Sequence, residues 1–126
     1  MIAEDEMVSQ AAPKGVDVQL ENGYVRIANS ILEWLARADL TGRECRVLSV
    51  IFARTYGYRR TEARIALSDF GRATGITSSS ATRLVQSLLR LRVIGRRAED
   101  HGYVYWFNKD MASWDQGLFG SSDREK

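Results

Sequence analysis

The stretch GITSSSATRLVQSLLRL, residues 75–91, places polar side chains at helical spacing without a single carboxylate. Ala81, Leu84, Val85, Leu88 and Leu91 recur as one apolar face, while Ser79, Thr82, Arg83, Gln86 and Arg90 fall opposite. Exposed helix faces ordinarily mix Glu with Lys, because such pairs add solubility and a little stability. A face that excludes acids suits contact with a polyanion. Ser78, Ser79 and Thr82 can donate to phosphates or base edges. Arg83 and Gln86 are long enough to pair with guanine and adenine in a major groove, and Arg90 extends the same face. Each has a plainer reading, the serines as helix-start residues and the long side chains as a solvated surface. Further on, Arg96 and Arg97 are candidates for contact with flanking backbone or the minor groove. As neighbours on a strand they point to opposite sides.

Catalytic chemistry finds little to work with. A lone histidine, His101, and a lone cysteine, Cys45, cannot fill a zinc site of the usual ligand count. There is no glycine loop with a lysine to cradle a nucleotide triphosphate. His101 falls in a predicted surface turn, so no Ser-His-acid arrangement can be argued. The reading is a binding protein, not an enzyme, with no cofactor. Cys45, one turn before Leu48, is expected to pack in the core.

The elements that must position these residues follow from periodicity and turn chemistry. A first helix is predicted over about 26–38, with Ile27, Ile31, Leu32, Trp34 and Leu35 as its apolar face. Thr41 and Glu44 have the spacing of a capping box, opening a second helix that carries Val47, Leu48, Ile51 and Phe52 and stops near Tyr56-Gly57. Arg59 and Arg60 follow it as a solvated loop or a backbone contact. Residues 64–67 suit a short strand. Ser68 is predicted to cap a short helix closed by Gly75, and Thr77 to cap the helix over 77–91. Two β-prone runs flank Asp100-His101-Gly102 and predict a hairpin, with Trp106 buried and Tyr103 or Tyr105 exposed. A short helix, a tight turn, a longer helix and then a hairpin is the order of a winged helix-turn-helix, a mainly α fold with a small β-hairpin.

The net charge of +2 hides a segregation along the chain. Residues 1–22 carry Glu4, Asp5, Glu6, Asp17 and Glu21 against Lys14, whereas residues 23–110 carry fourteen arginines and Lys109 against eight acids. The expected organisation is a flexible acidic leader over 1–22, a basic winged-helix domain over 23–114 and a flexible tail over 115–126. The leader is also a candidate competitor for the basic face. No apolar run reaches the roughly 20 residues of a membrane span, and the start has no secretory signature, so a cytoplasmic location is expected. Duplex DNA is the polyanion that suits this arrangement best.

Across NGYVRIANSILEWLARADLTGRECRVLSVIFARTYGY, RIALSDFGRATGITSSSATRLVQSLLRLRVIGR and FNKDMASW, the sequence resembles the N-terminal domain of the lambda-type bacteriophage replication protein O family. GYVRIANSILE, ADLTGRE and RTYGY are the most specific pieces. The resemblance implies an origin-binding domain that recognises repeated, inverted sites as a homodimer. It carries the DNA-contact role to Ser78, Ser79, Thr82, Arg83 and Gln86, and to Arg96 and Arg97. It also implies recruitment of a replication helicase through a loader protein, by a C-terminal region that residues 1–126 do not accommodate. Without the resemblance, a winged-helix transcriptional regulator and a protein–protein assembly module remain open.

Overall fold

The computed structural model describes residues 23–120; the leader and residues 121–126 lie outside it. Among the described residues the helices are α1 Asn29–Arg37, α2 Gly42–Arg54, α3 Leu67–Thr74 and α4 Ser78–Arg90. The strands are β1 Glu62–Arg64, β2 Ile94–Glu99 and β3 Gly102–Phe107, in the antiparallel order β1-β3-β2. This is an α+β winged helix-turn-helix, with α3 and α4 as the helix pair and β2-β3 as the wing.

The capping box forms as its spacing requires. Thr41 Oγ1 accepts from the Glu44 amide, and Glu44 Oε1 accepts from the Thr41 amide at 2.8 Å. The core is built by α2, α3, α4 and one face of the sheet: Val47, Ile51, Phe70, Ala81, Val85, Leu88, Val93 and Tyr105 are completely buried. Burying a side chain of this size contributes roughly 1.5–3 kcal/mol.

Several expectations need correction. The first helix starts at Asn29 behind an Ala28 that offers no side-chain cap, and Leu32 is turned to solvent, 52% exposed. Cys45 is exposed. The buried place one turn before Leu48 belongs to Glu44, four residues back and in line, which rotates Cys45 out beside Ser49. The first strand lies at 62–64, two residues earlier than predicted. Ser68 sits inside α3, whose N-cap is Ala66. On β3 the strict alternation of a strand sends Tyr105 and Phe107 into the core and leaves Trp106 half-buried on the outer face, the reverse of the predicted exposure.

The packed body also runs past 114. Leu118 is buried, the Asp39 amide donates to the Leu118 carbonyl at 2.9 Å, and Phe119 meets Trp34 edge-on at 5.0 Å. Residues 115–120 therefore belong to the fold instead of beginning a loose tail.

Candidate nucleic-acid interface

The turn between α3 and α4 is three residues long. Gly75 ends α3 in the left-handed region at φ 76°, which a side chain would strain, and Thr77 Oγ1 accepts from the Ser80 amide to open α4. The two helices come close at Gly71, where a Cβ would stand 3.0 Å from the Ile76 carbonyl oxygen. On the inner side, Glu44 fixes the rotation of α4: the carboxylate that caps α2 with one oxygen accepts from Ser87 Oγ with the other, at 2.6 Å. One side chain thus serves as a helix cap and as a tie between helices, and sequence spacing revealed only the first role.

That rotation determines what α4 shows. Ser79, Thr82, Arg83, Gln86 and Arg90 share an arc of about 100° and run some 16 Å along the axis. Ser79, Arg83, Gln86 and Arg90 are exposed; Thr82 is half-buried, and its hydroxyl donates back to the Ser78 carbonyl at 2.9 Å. Ser78 is exposed beside this arc at the first turn. The first turn carries no acid, so its free N–H groups and the helix dipole present a positive end. Among the described residues, Arg83, Gln86 and Arg90 have no hydrogen-bond or ion-pair partner.

The wing treats its arginines differently. Its turn residues, Asp100 and His101, both have positive φ, 45° and 67°, as a two-residue hairpin turn of type I′ demands. Arg96 lies on the helix side of the sheet, its guanidinium 3.9 Å from the Tyr103 ring centroid and 3.2 Å from Tyr105 Oη. Arg97 lies on the outer side and is clamped by Glu62 through two hydrogen bonds of 2.6 and 2.8 Å, with Glu99 at 3.2 Å. The bond from Arg97 holds the Glu62 carboxyl below the usual carboxylate range. The two candidates are therefore split between the sheet faces, as strand alternation requires.

One basic residue at the wing escaped the sequence reading. Arg64 on β1 reaches across β3 and donates to the carbonyls of Glu99 and Asp100, bracing the hairpin turn. Its register, Arg64 opposite Val104, is a long-range pairing that no local pattern announces. Arg92 is likewise structural, with Nε donating to the Ser113 carbonyl at 2.6 Å. Among the described residues no three His, Cys, Asp or Glu side chains are grouped to hold a metal ion, and no helix is long and apolar enough to cross a membrane.

Comparison with known proteins places this geometry. Residues 17–114 match the family model described as bacteriophage replication protein O. Replication protein O of Escherichia phage lambda is 30% identical over 95 residues, covering 75% of this chain and 27% of that protein. Replication protein 15 of Enterobacteria phage phi80 is 26% identical over 102 residues, covering 81% of this chain and 34% of that protein. DNA replication protein gp18 of Salmonella phage P22 is 26% identical over 96 residues, covering 76% of this chain and 34% of that protein. The matched region thus corresponds to between 27% and 34% of each relative's length. The oxidized form of MarR from E. coli aligns over 82% of this chain at 18% identity with a TM-score of 0.48, too loose a likeness to argue from. By the span of the family match, the chain belongs to the bacteriophage replication protein O family.

Proposed function

We propose that this domain binds duplex DNA sequence-specifically at a phage replication origin, as an initiation step of DNA replication. The observation that carries the reading is the α4 face, where Arg83, Gln86 and Arg90 stand exposed and unpartnered on a helix without acids. In the proposed complex the N-terminal half of α4 enters the major groove, as the second helix of such units does. Arg83 and Gln86 read base edges; Ser78, Ser79 and Thr82 approach phosphates or bases; Arg90 holds the backbone. Arg96, on the same side of the sheet, contacts flanking backbone, and Arg97 joins only by leaving Glu62. The names of the phage relatives, all replication proteins, favour an origin over a promoter as the target.

One such helix covers few base pairs, so the reading includes two copies on symmetric half-sites. Recruitment of a helicase or its loader is assigned to the parts of the relatives that these residues do not span. Selection of binding sites from a pool of random duplexes, at about 150 mM salt, tests the proposal. A recovered motif with inverted or repeated half-sites supports it. A pool that stays random contradicts sequence-specific binding and leaves only a charge attraction.

A further inference from the structure

A second basic surface lies away from α4. The 3-10 turn Tyr56–Tyr58, the residues after it and the segment before α1 form a cleft of about 600 Å³, lined by Tyr24, Arg26, Tyr56, Arg59, Arg60 and Thr61 together with Gly23 and Gly57. That volume falls in the roughly 300–1,000 Å³ range of sites for small ligands. Its lining holds three guanidinium groups and no carboxylate. The two lining rings, Tyr24 and Tyr56, and Tyr58 beside the cleft are each matched by a cation. Arg26 stands 6.0 Å from the Tyr24 centroid, Arg60 5.3 Å from that of the exposed Tyr58, and Lys109 5.8 Å from that of Tyr56. The neighbouring guanidinium groups of Arg59 and Arg26 lower the Tyr24 phenol from its ordinary value. Arg59 reaches it from a left-handed backbone, φ 58°. The Tyr56 hydroxyl is buried without a hydrogen-bond partner among the described residues.

Strand register separates this cleft from the reading face. β1 leaves the cleft at Thr61 and pairs Glu62 with Trp106, at the base of the hairpin; the wing tip at Asp100-His101 is about 15 Å further along the strands. The base of the hairpin is also where α4 ends, and its serine-rich start is about 18 Å away. A duplex lying across the start of α4 and Arg96 on the helix side of the wing has no need of the cleft; of the assigned contacts only Arg97, held at Glu62 next to Thr61, lies near it. Tyrosine rings beside guanidinium groups suit a different form of the polymer. They reward a base whose π-face is open and a phosphate next to it, and in a duplex those faces are already covered by stacking.

We propose that the cleft lined by Tyr24, Arg26, Arg59 and Arg60 holds an unpaired DNA strand, with phosphates on the arginines and a base stacked on Tyr24 or Tyr58. Such a site would let one domain grip a duplex by α4 and a neighbouring separated strand by the cleft.

The test is an anisotropy titration of the full chain with a fluorescein-labelled oligothymidylate of about 12 nucleotides, run beside a duplex of random sequence. Binding of the single strand is expected to fall about tenfold or more in the Arg26→Ala/Arg60→Ala double variant, with duplex binding unchanged. Tyr58→Ala is expected to lose part of it and Tyr58→Phe to keep it. Arg83→Ala is expected to weaken the duplex alone. These side chains are exposed, and an unchanged thermal unfolding curve confirms that each variant folds. The proposal is overturned if the wild type does not bind the oligonucleotide, or if Arg83→Ala loses it equally. A fall in duplex binding that matches the fall in single-strand binding in the double variant would also overturn it, by marking the cleft as a second duplex contact. The inference does not rest on the α4 reading: loss of single-strand binding sinks this site alone, and loss of sequence preference sinks the other alone.

Discussion

The α4 face and the wing carry the same residue type in opposite states. Arg83 and Arg90 reach into solvent with no partner among the described residues, whereas Arg96 is stacked on Tyr103 and Arg97 is clamped by Glu62 and Glu99. Secondary structure accounts for the difference. Side chains on a helix surface meet mainly their own neighbours three and four residues away, and α4 supplies no acid there. A sheet brings side chains from distant sequence onto one face, and here β1, on the far side of β3, supplies Glu62 to Arg97. An arginine without a partner can engage a base at no cost in broken ion pairs. A clamped one must first give up its acid. Under the proposed function, specificity would fall to α4, and the wing would act as a backbone grip whose strength depends on salt.

The predictions that probe this contrast run from large effects to small. Leu88→Ala removes a completely buried side chain beneath the α4 face and should cost about 2–5 kcal/mol of stability, read by urea unfolding. The expected result also includes loss of all DNA binding wherever the variant unfolds, which shows the face depending on its core. Glu44→Ala removes half of the capping box and the tie to Ser87, and should cost about 1–3 kcal/mol in the same assay. Because α4 then loses its fixed rotation, discrimination between a selected site and random duplex should fall more than affinity for random duplex does. An equal fall in both would show that Glu44 acts on stability alone.

On the wing, Arg96→Ala combined with Arg97→Ala should weaken every duplex alike and reduce the salt slope of binding by about two at most. A slope reduced by only about one would mean that Arg97 stays on Glu62 in the complex. Glu62→Gln is the smallest and the most pointed. It should raise affinity for all duplexes roughly two- to fivefold by freeing Arg97. The same pair has a pH signature. The Glu62 carboxyl is lowered in the folded protein, so the pair's contribution to stability is present above the ordinary carboxylate range. It disappears as pH falls through the lowered folded value. Acid titration of unfolding should show a shallower decline in Glu62→Gln than in the wild type.

What could be seen in the sequence was whatever local rules govern. The Thr41-Glu44 box, the Thr77 cap, the Gly75 stop and the Asp100-His101 turn each depend on residues within a few positions, and the structure forms all of them. The α4 amphipathic pattern held because one helix face meets one core. Sequence reasoning failed where a single residue of rotation or alternation decides. Cys45 and Glu44 differ by one step on α2, and Trp106 and Tyr105 by one step on β3, yet one of each pair is buried and the other is not. Contacts between distant segments were out of reach altogether. Nothing near Arg97 announces Glu62, nothing near Glu44 announces Ser87, and nothing near Leu118 announces the bond from Asp39 or its place in the core.

In the proposed function, the unpartnered side chains of α4 read base edges. The most direct measurement is the ratio of affinities for a selected site and for random duplex, in the wild type, Arg83→Ala and Gln86→Ala at one salt concentration. Each variant is expected to lose about 1–3 kcal/mol on the selected site and little on random duplex, so that the ratio collapses. Equal losses on both duplexes would contradict that role, reducing α4 to a phosphate contact and moving sequence recognition elsewhere in the domain.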